Sequence, residues 1–320
     1  MMSLYLSVGY NGNIEDLKRI LDSSDRVKSV YTGGVSDIIR GGRPQYVDSL
    51  KVLEDQLKLA KRRGVLFELA LNAPCGFRDF SNKRWWQMLK GYVKELEDMG
   101  IDGVIVSHPF LMDLIKSYTQ LKITASTICE IMSTRSALFY EELGADVIIP
   151  SMNLNMNITE LKLMKTSLKT AHIRLIVNEH CLGDCPWRRF HHAHYSHSDV
   201  EIDYHVHCKR TYLNNPYLLL TNNVIRPEDL CFYEDITNDF KIVGRLVPVN
   251  DLINRIKAYE AQYFDGNYVE LFDTGLSSIF NIPNRALDGL IEKKIHCNKV
   301  CKECGFCKGL YDSIVKITRR

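Results

Sequence analysis

No apolar run in this sequence approaches the ~20 residues needed to cross a bilayer. The opening MMSLYLSVGYNGN is too short and too polar for a secretory signal and reads as a first strand. An excess of either charge is also missing: 41 lysines and arginines stand against 39 acidic residues, a formal net charge of +2. A whole-molecule electrostatic grip on nucleic acid or a membrane surface is therefore not implied. The basic run at Lys61, Arg62 and Arg63 reads as a solvated helix end. There is no internal repeat, low-complexity tract or Pro/Ser-rich linker. The sequence also lacks a G-x-G-x-x-G phosphate loop, an H-E-x-x-H zinc motif and a G-x-S-x-G elbow. These absences lead to the expectation of a soluble, cytoplasmic protein without a membrane partner.

The composition, 45% hydrophobic and 25% charged, suffices for a large core. Short β-rich runs alternate with amphipathic stretches from end to end. The predicted strands are Ser3–Val8, Val27–Tyr31, Val65–Leu71, Asp102–Val106, Leu121–Ser126, Asp146–Ile149, His172–Asn178 and Asp239–Gly244. Helical spacing is clearest over Asp48–Arg63, Arg84–Met99 and Ser133–Leu143. Turns at Gly64, Gly100-Ile101-Asp102 and Gly144-Ala145-Asp146 lead helices back into the sheet. This pattern predicts an α/β fold, a (β/α)8 TIM-like barrel, with an open doubly wound sheet as the alternative. One interruption stands out. After strand 7 a long loop, residues 179–238, carries four of the ten cysteines and, beyond His180, six of the ten histidines. In a barrel such a loop lies on the catalytic face. The predicted organisation is a barrel over residues 1–265, including the loop, and a C-terminal cysteine-rich extension over 266–320.

Within the loop, Cys181, Cys185, Cys208 and Cys231 are spaced C-x3-C-x22-C-x22-C. Four thiolates suit a tetrahedral zinc or a cubane cluster, in which each iron takes one protein ligand. Further on, Cys297, Cys301, Cys304 and Cys307 form C-x3-C-x2-C-x2-C, the strongest local metal signature in the chain. Its first three members match the C-x3-C-x2-C of radical S-adenosylmethionine enzymes. Its late position and fourth cysteine argue instead for a second 4Fe-4S cluster or a structural zinc knuckle. Cys75 and Cys129 receive no role.

Several stretches in this order, Val30-Tyr31-Thr32-Gly33-Gly34, Leu69-Ala70-Leu71-Asn72, Met99 to Val106, Thr124-Ala125-Ser126-Thr127, Glu141 to Ala145, Glu179-x-Cys181, Arg226 to Cys231 and Lys241 to Arg245, resemble peptidase family U-32, the collagenase-like proteins. Some members of that family are iron–sulfur hydroxylases. The resemblance implies a barrel with one 4Fe-4S cluster on the loop cysteines. For the hydroxylase branch it implies oxygen-independent hydroxylation with prephenate as oxygen donor. The short Cys181–Cys185 spacing and the histidine-rich loop over 190–207 depart from the family pattern.

Polar residues at predicted strand ends are Asn72, Ser107, His108, Ser126, Thr127, Ser151, Glu179 and Arg245. Glu179 and His180 are placed to move protons. Arg40, Arg43 and Arg245, with Asn72 and Ser126, are the candidate substrate-binding residues, since guanidinium forks match carboxylates. The histidines at 191, 192, 194, 197, 205 and 207 lack the spacing of a complete ligand set and read as a solvated loop. The leading expectation is an iron–sulfur enzyme hydroxylating an aromatic or heterocyclic substrate, with a small donor such as prephenate. The alternatives are a collagenase-like peptidase and a non-catalytic barrel subunit of a heteromer, so RNA, peptide and a second barrel subunit all remain open as partners.

Overall fold

The computed structural model describes residues 3–35, 39, 41–42, 47–75, 81–179, 181–196 and 205–318. Nine parallel strands run in chain order as β1 (Tyr5–Gly9), β2 (Val27–Gly33), β3 (Leu66–Leu71), β4 (Gly103–Val106), β5 (Lys122–Ala125), β6 (Val147–Ile148), β7 (His172–Ile173), β8 (Leu175–Ile176) and β9 (Asp239–Ile242). Their order in the sheet is β7-β6-β5-β4-β3-β2-β1-β9-β8. The two outer strands are halves of one run. β7 pairs with β6, and β8, one residue later, pairs with β9, so the sheet returns on itself as a TIM-like barrel. The predicted seventh strand, His172–Asn178, is thus divided at Arg174.

Local chemistry explains the repeated return from helix to strand. The helix Lys83–Met99 starts under the Asn82 side chain, which accepts from the N–H groups of Arg84 and Trp85. It ends at Gly100, whose φ of 88° closes the last turn. Ile101 is then buried, and the Asp102 carboxylate accepts the Phe67 N–H at 2.8 Å, fixing the register of β4 beside β3. The same device recurs one unit on. Gly144 has a φ of 92°, Ala145 is buried, and Asp146 accepts the Ile123 N–H at 2.8 Å.

The barrel interior carries charge where Arg174 divides the strand. Arg174 is 4% exposed. Its Nε donates to both Asp239 oxygens at 3.0 and 2.9 Å, and its Nη1 donates to Glu68 at 2.6 Å. The hydroxyls of Ser29 and Thr124 also donate to Glu68, each at 2.7 Å. Burial alone would raise Glu68, but Arg174, Lys241 and the two hydroxyls overcome it and hold the carboxyl at about 2.

The described part of the long excursion packs around its own apolar cluster. Tyr212, Leu219, Leu220 and Val224 pack with Tyr268, Leu271, Phe272, Leu276 and Ile314, separately from the main barrel core. No helix among the described residues is long and apolar enough to cross a membrane.

Replacing Arg174 with Met leaves two carboxylates facing each other in the barrel. The expected loss is about 3–5 kcal/mol of unfolding free energy, read from urea denaturation; a loss below about 1 kcal/mol would contradict the assigned role. The Glu68 contribution follows the sign of a depressed carboxylate. It is fully present above the ordinary carboxyl range and is lost only as pH falls through about 2.

Candidate functional site

The C-terminal ends of the strands open into a cavity of about 360 Å³, the size of a small-molecule site. Asn72, Ser126, Glu179 and Arg245, all read from the sequence, line it. Asn72 Nδ2 donates to the Ser126 hydroxyl at 3.0 Å, and Asn72 Oδ1 accepts the Gly42 N–H at 2.9 Å. Thr127 lines the cavity too, whereas Ser107, His108 and Ser151 do not. His180, Arg40 and Arg43 lie outside the described residues.

One wall is thiol-rich. Cys181, Cys185 and Cys208 all face the cavity. Cys208 donates a hydrogen bond to Cys185; together with the N–H groups of Trp187 and Arg188 this outweighs burial and draws the Cys185 thiol down to about 6. Cys231 does not join them. It sits exposed on the 3-10 turn Pro227–Tyr233, where its thiol donates to the Glu228 carbonyl at 3.5 Å. The Cys129 thiol donates to the Val106 and Ser107 carbonyls at 3.6 and 3.5 Å, and burial pushes it up to about 12, away from the reactive thiolate. No three potential ligands among the described residues already stand at metal-holding distance.

Behind the thiols stands Arg188, which the sequence reading missed. It is 3% exposed. Its Nε donates to Glu130 at 3.0 Å, its Nη1 and Nη2 to the two Glu179 oxygens at 2.8 and 3.2 Å, and its Nη2 to the Thr127 hydroxyl at 3.3 Å. Nη1 also lies 3.3 Å from the Cys181 sulfur. Glu130 takes a φ of 53° as the left-handed cap of the 3-10 turn Thr127–Cys129, its N–H donating to the Thr127 carbonyl at 3.1 Å. Arg188 opens the helix Arg188–Tyr195. His191 and His192, one turn on, are buried and line the cavity. The stretch read as a solvated loop therefore contains a helix. Its stripe at 188, 191, 192 and 195 recurs at i, i+3, i+4, i+7, a signal that was present in the sequence.

The cavity is also lined by cations. Lys241, Arg245 and Arg255 line it. Arg255 is 2% exposed; its Nε donates to the Glu270 carbonyl at 2.9 Å, while Nη1 and Nη2 have no hydrogen-bond partner among the described residues. Buried donors left this way are costly unless something completes them, and an oxyanion does so. Lys241 lies over the Tyr31 ring, 3.6 Å from its centroid. Burial pulls its ammonium down to about 7, against the opposing pull of Glu68 and with help from Arg174 and Arg245. Neither Lys241 nor Arg255 was chosen from the sequence. A lysine inside a strand and an arginine inside a helix look like ordinary surface residues until the barrel closes.

Sulfate, whose charge is constant over the range, tests this cationic lining. Its binding, followed by calorimetry, should weaken by about tenfold as pH rises through about 7 and Lys241 deprotonates. In Lys241→Met that step should disappear, and in Arg255→Met binding should weaken at every pH. An unchanged pH profile in Lys241→Met would contradict the assignment.

Comparison with known proteins extends this picture. The sequence model of peptidase family U32 matches residues 12–269. The chain is 29% identical to an uncharacterized protease of Methanocaldococcus jannaschii over 330 aligned positions, which take in 97% of this chain and 99% of that protein. It also resembles the solved structure of the U32 peptidase Mk0906, with a TM-score of 0.59 and 19% identity over 78% of this chain and 95% of that one. At that identity the likeness is one of fold.

Proposed function

The chain belongs to peptidase family U32, and from that premise we propose that its cavity is the active site of a thiol-ligated iron–sulfur enzyme acting on a small anionic substrate. The observation that carries this reading is the meeting of three cysteines with buried cations in one cavity. The donor chemistry fits a cluster. Cys181, Cys185 and Cys208 would hold it, and the exposed Cys231 would not take part. When bound, such a group would supply one-electron redox chemistry at the cavity.

The chain's own residues do the rest. Lys241, Arg245 and Arg255 bind carboxylates, and Asn72 and Ser126 present amide and hydroxyl groups at the rim. Glu179 and Glu130 fix the Arg188 guanidinium beside Cys181. His191 and His192 hold or move a proton at a ring nitrogen. Within this reading the reaction is oxygen-independent hydroxylation of an aromatic or heterocyclic substrate, with a dianionic oxygen donor of the prephenate type.

A second reading, peptide hydrolysis, is the one the names of the family and of the archaeal relative support directly. Cys185 favours it too, because the hydrogen bond from Cys208 lowers its thiol in the direction a cysteine nucleophile requires. Metal dependence separates the two. A cluster enzyme loses all turnover when stripped anaerobically and does not cleave gelatin or short peptides. Peptide cleavage by the stripped protein would establish the hydrolytic reading.

Cysteine variants provide the sharper test. Anaerobically purified Cys208→Ser should lose the iron and sulfide of the cavity centre, whereas Cys231→Ser should retain both. Equal loss in the two variants would return Cys231 to the ligand set, and no iron in the unaltered protein would remove the cluster.

A further inference from the structure

The C-terminal cysteines lie outside the cavity and have no part in the chemistry above. Cys297, Cys301 and Cys304 are exposed, and Cys307 is half-buried. The chain folds tightly around them. Lys299 takes a φ of 61°, Cys301–Cys304 form one helical turn, and Gly305 ends that turn at a φ of 59°. The four cysteines fall within eleven residues of this reversing segment, and Cys307 packs against the apolar cluster of the excursion. The Lys299 N–H donates to the Cys297 sulfur at 3.3 Å.

Two contacts join this segment to the turn between Cys181 and Cys185. Lys299 Nζ pairs with Asp184 at 2.6 Å. Leu182 and Cys307 pack against the same apolar cluster. Lys294, just before the cysteines, donates to the Asn222 carbonyl inside the excursion. An exposed ion pair such as Lys299–Asp184 is weak when its lysine is free to move. It holds the turn firmly only if the loop that carries Lys299 is itself fixed.

We propose that Cys297, Cys301, Cys304 and Cys307 form a tetrathiolate centre for a thiophilic metal, zinc or an iron–sulfur cluster, which fixes the C-terminal segment and through Lys299–Asp184 braces the Cys181–Cys185 turn. Both sources use the same ligand chemistry, four thiolates around one centre. Because no three of the sulfurs already stand at ligand distance, binding draws the exposed turn together and rigidifies it. The two ligand sets share no residue, so metal counts on variants of each set distinguish failure of this proposal from failure of the cavity reading.

The test uses the full chain, purified anaerobically, with iron, sulfide and zinc counted per molecule for the native protein and for Cys301→Ser/Cys304→Ser. The double variant should lose one zinc, or four irons with their sulfides, while its circular dichroism stays native. Equal metal in the two proteins overturns the proposal, as does a metal-free native protein with a Cys301–Cys304 disulfide. Should the variant fail to fold, the native chain is stripped with chelator and titrated with cobalt(II). Tetrathiolate visible absorption should appear, with about tenfold slower proteolysis within 297–318; absence of both overturns the proposal. Asp184→Ala should keep the C-terminal metal but speed cleavage in the Cys181–Cys185 turn.

Discussion

A guanidinium sealed inside a barrel must be met by carboxylates, and the architecture follows from where Arg174 meets them. Isolated, that charge would face a desolvation penalty of several kcal/mol. Glu68 from β3 and Asp239 from β9 converge on it, so three strands far apart in sequence are held at one level. The arginine divides its own strand, and its two halves close the sheet from opposite sides. The same layer sets up Lys241. Its neighbours there are Glu68, Asp239, Arg174 and Arg245, and the Tyr31 ring lies under its ammonium. The network that closes the barrel thus also tunes the cation at the cavity floor.

The mouth repeats this solution with Arg188. The excursion has little regular sheet to hold it, yet its first helix is anchored by an arginine that reaches Glu179 at the end of the barrel strand and Glu130 after β5. The anchor places Cys181 beside a buried positive charge and turns His191 and His192 inward. The thiols, the imidazoles and the cationic side chains then line a shared cavity.

The barrel was legible because its signals are local. Period-two apolar runs, glycine-terminated helices and the Gly-x-Asp turns each act within a few residues, and each element found in the sequence lies within a few residues of its observed bounds. The strand-end residues Asn72, Ser126, Glu179 and Arg245 were legible for the same reason, since a barrel strand announces which end carries function. Lys241, Arg255 and Arg188 were not legible. Their burial depends on partners tens to hundreds of residues away, and in sequence a charged residue looks solvated. Cys231 shows the converse. Even spacing suggested a fourth ligand, and in the structure Cys231 sits exposed on its 3-10 turn outside the cavity lining.

The central claim is that the cavity thiols hold iron, and anomalous scattering at the iron edge from anaerobically grown crystals tests it most directly. The account predicts a strong iron peak among the sulfurs of Cys181, Cys185 and Cys208, with none at Cys231. A cavity without iron in crystals of fully loaded protein, or a peak centred on Cys231, would contradict it.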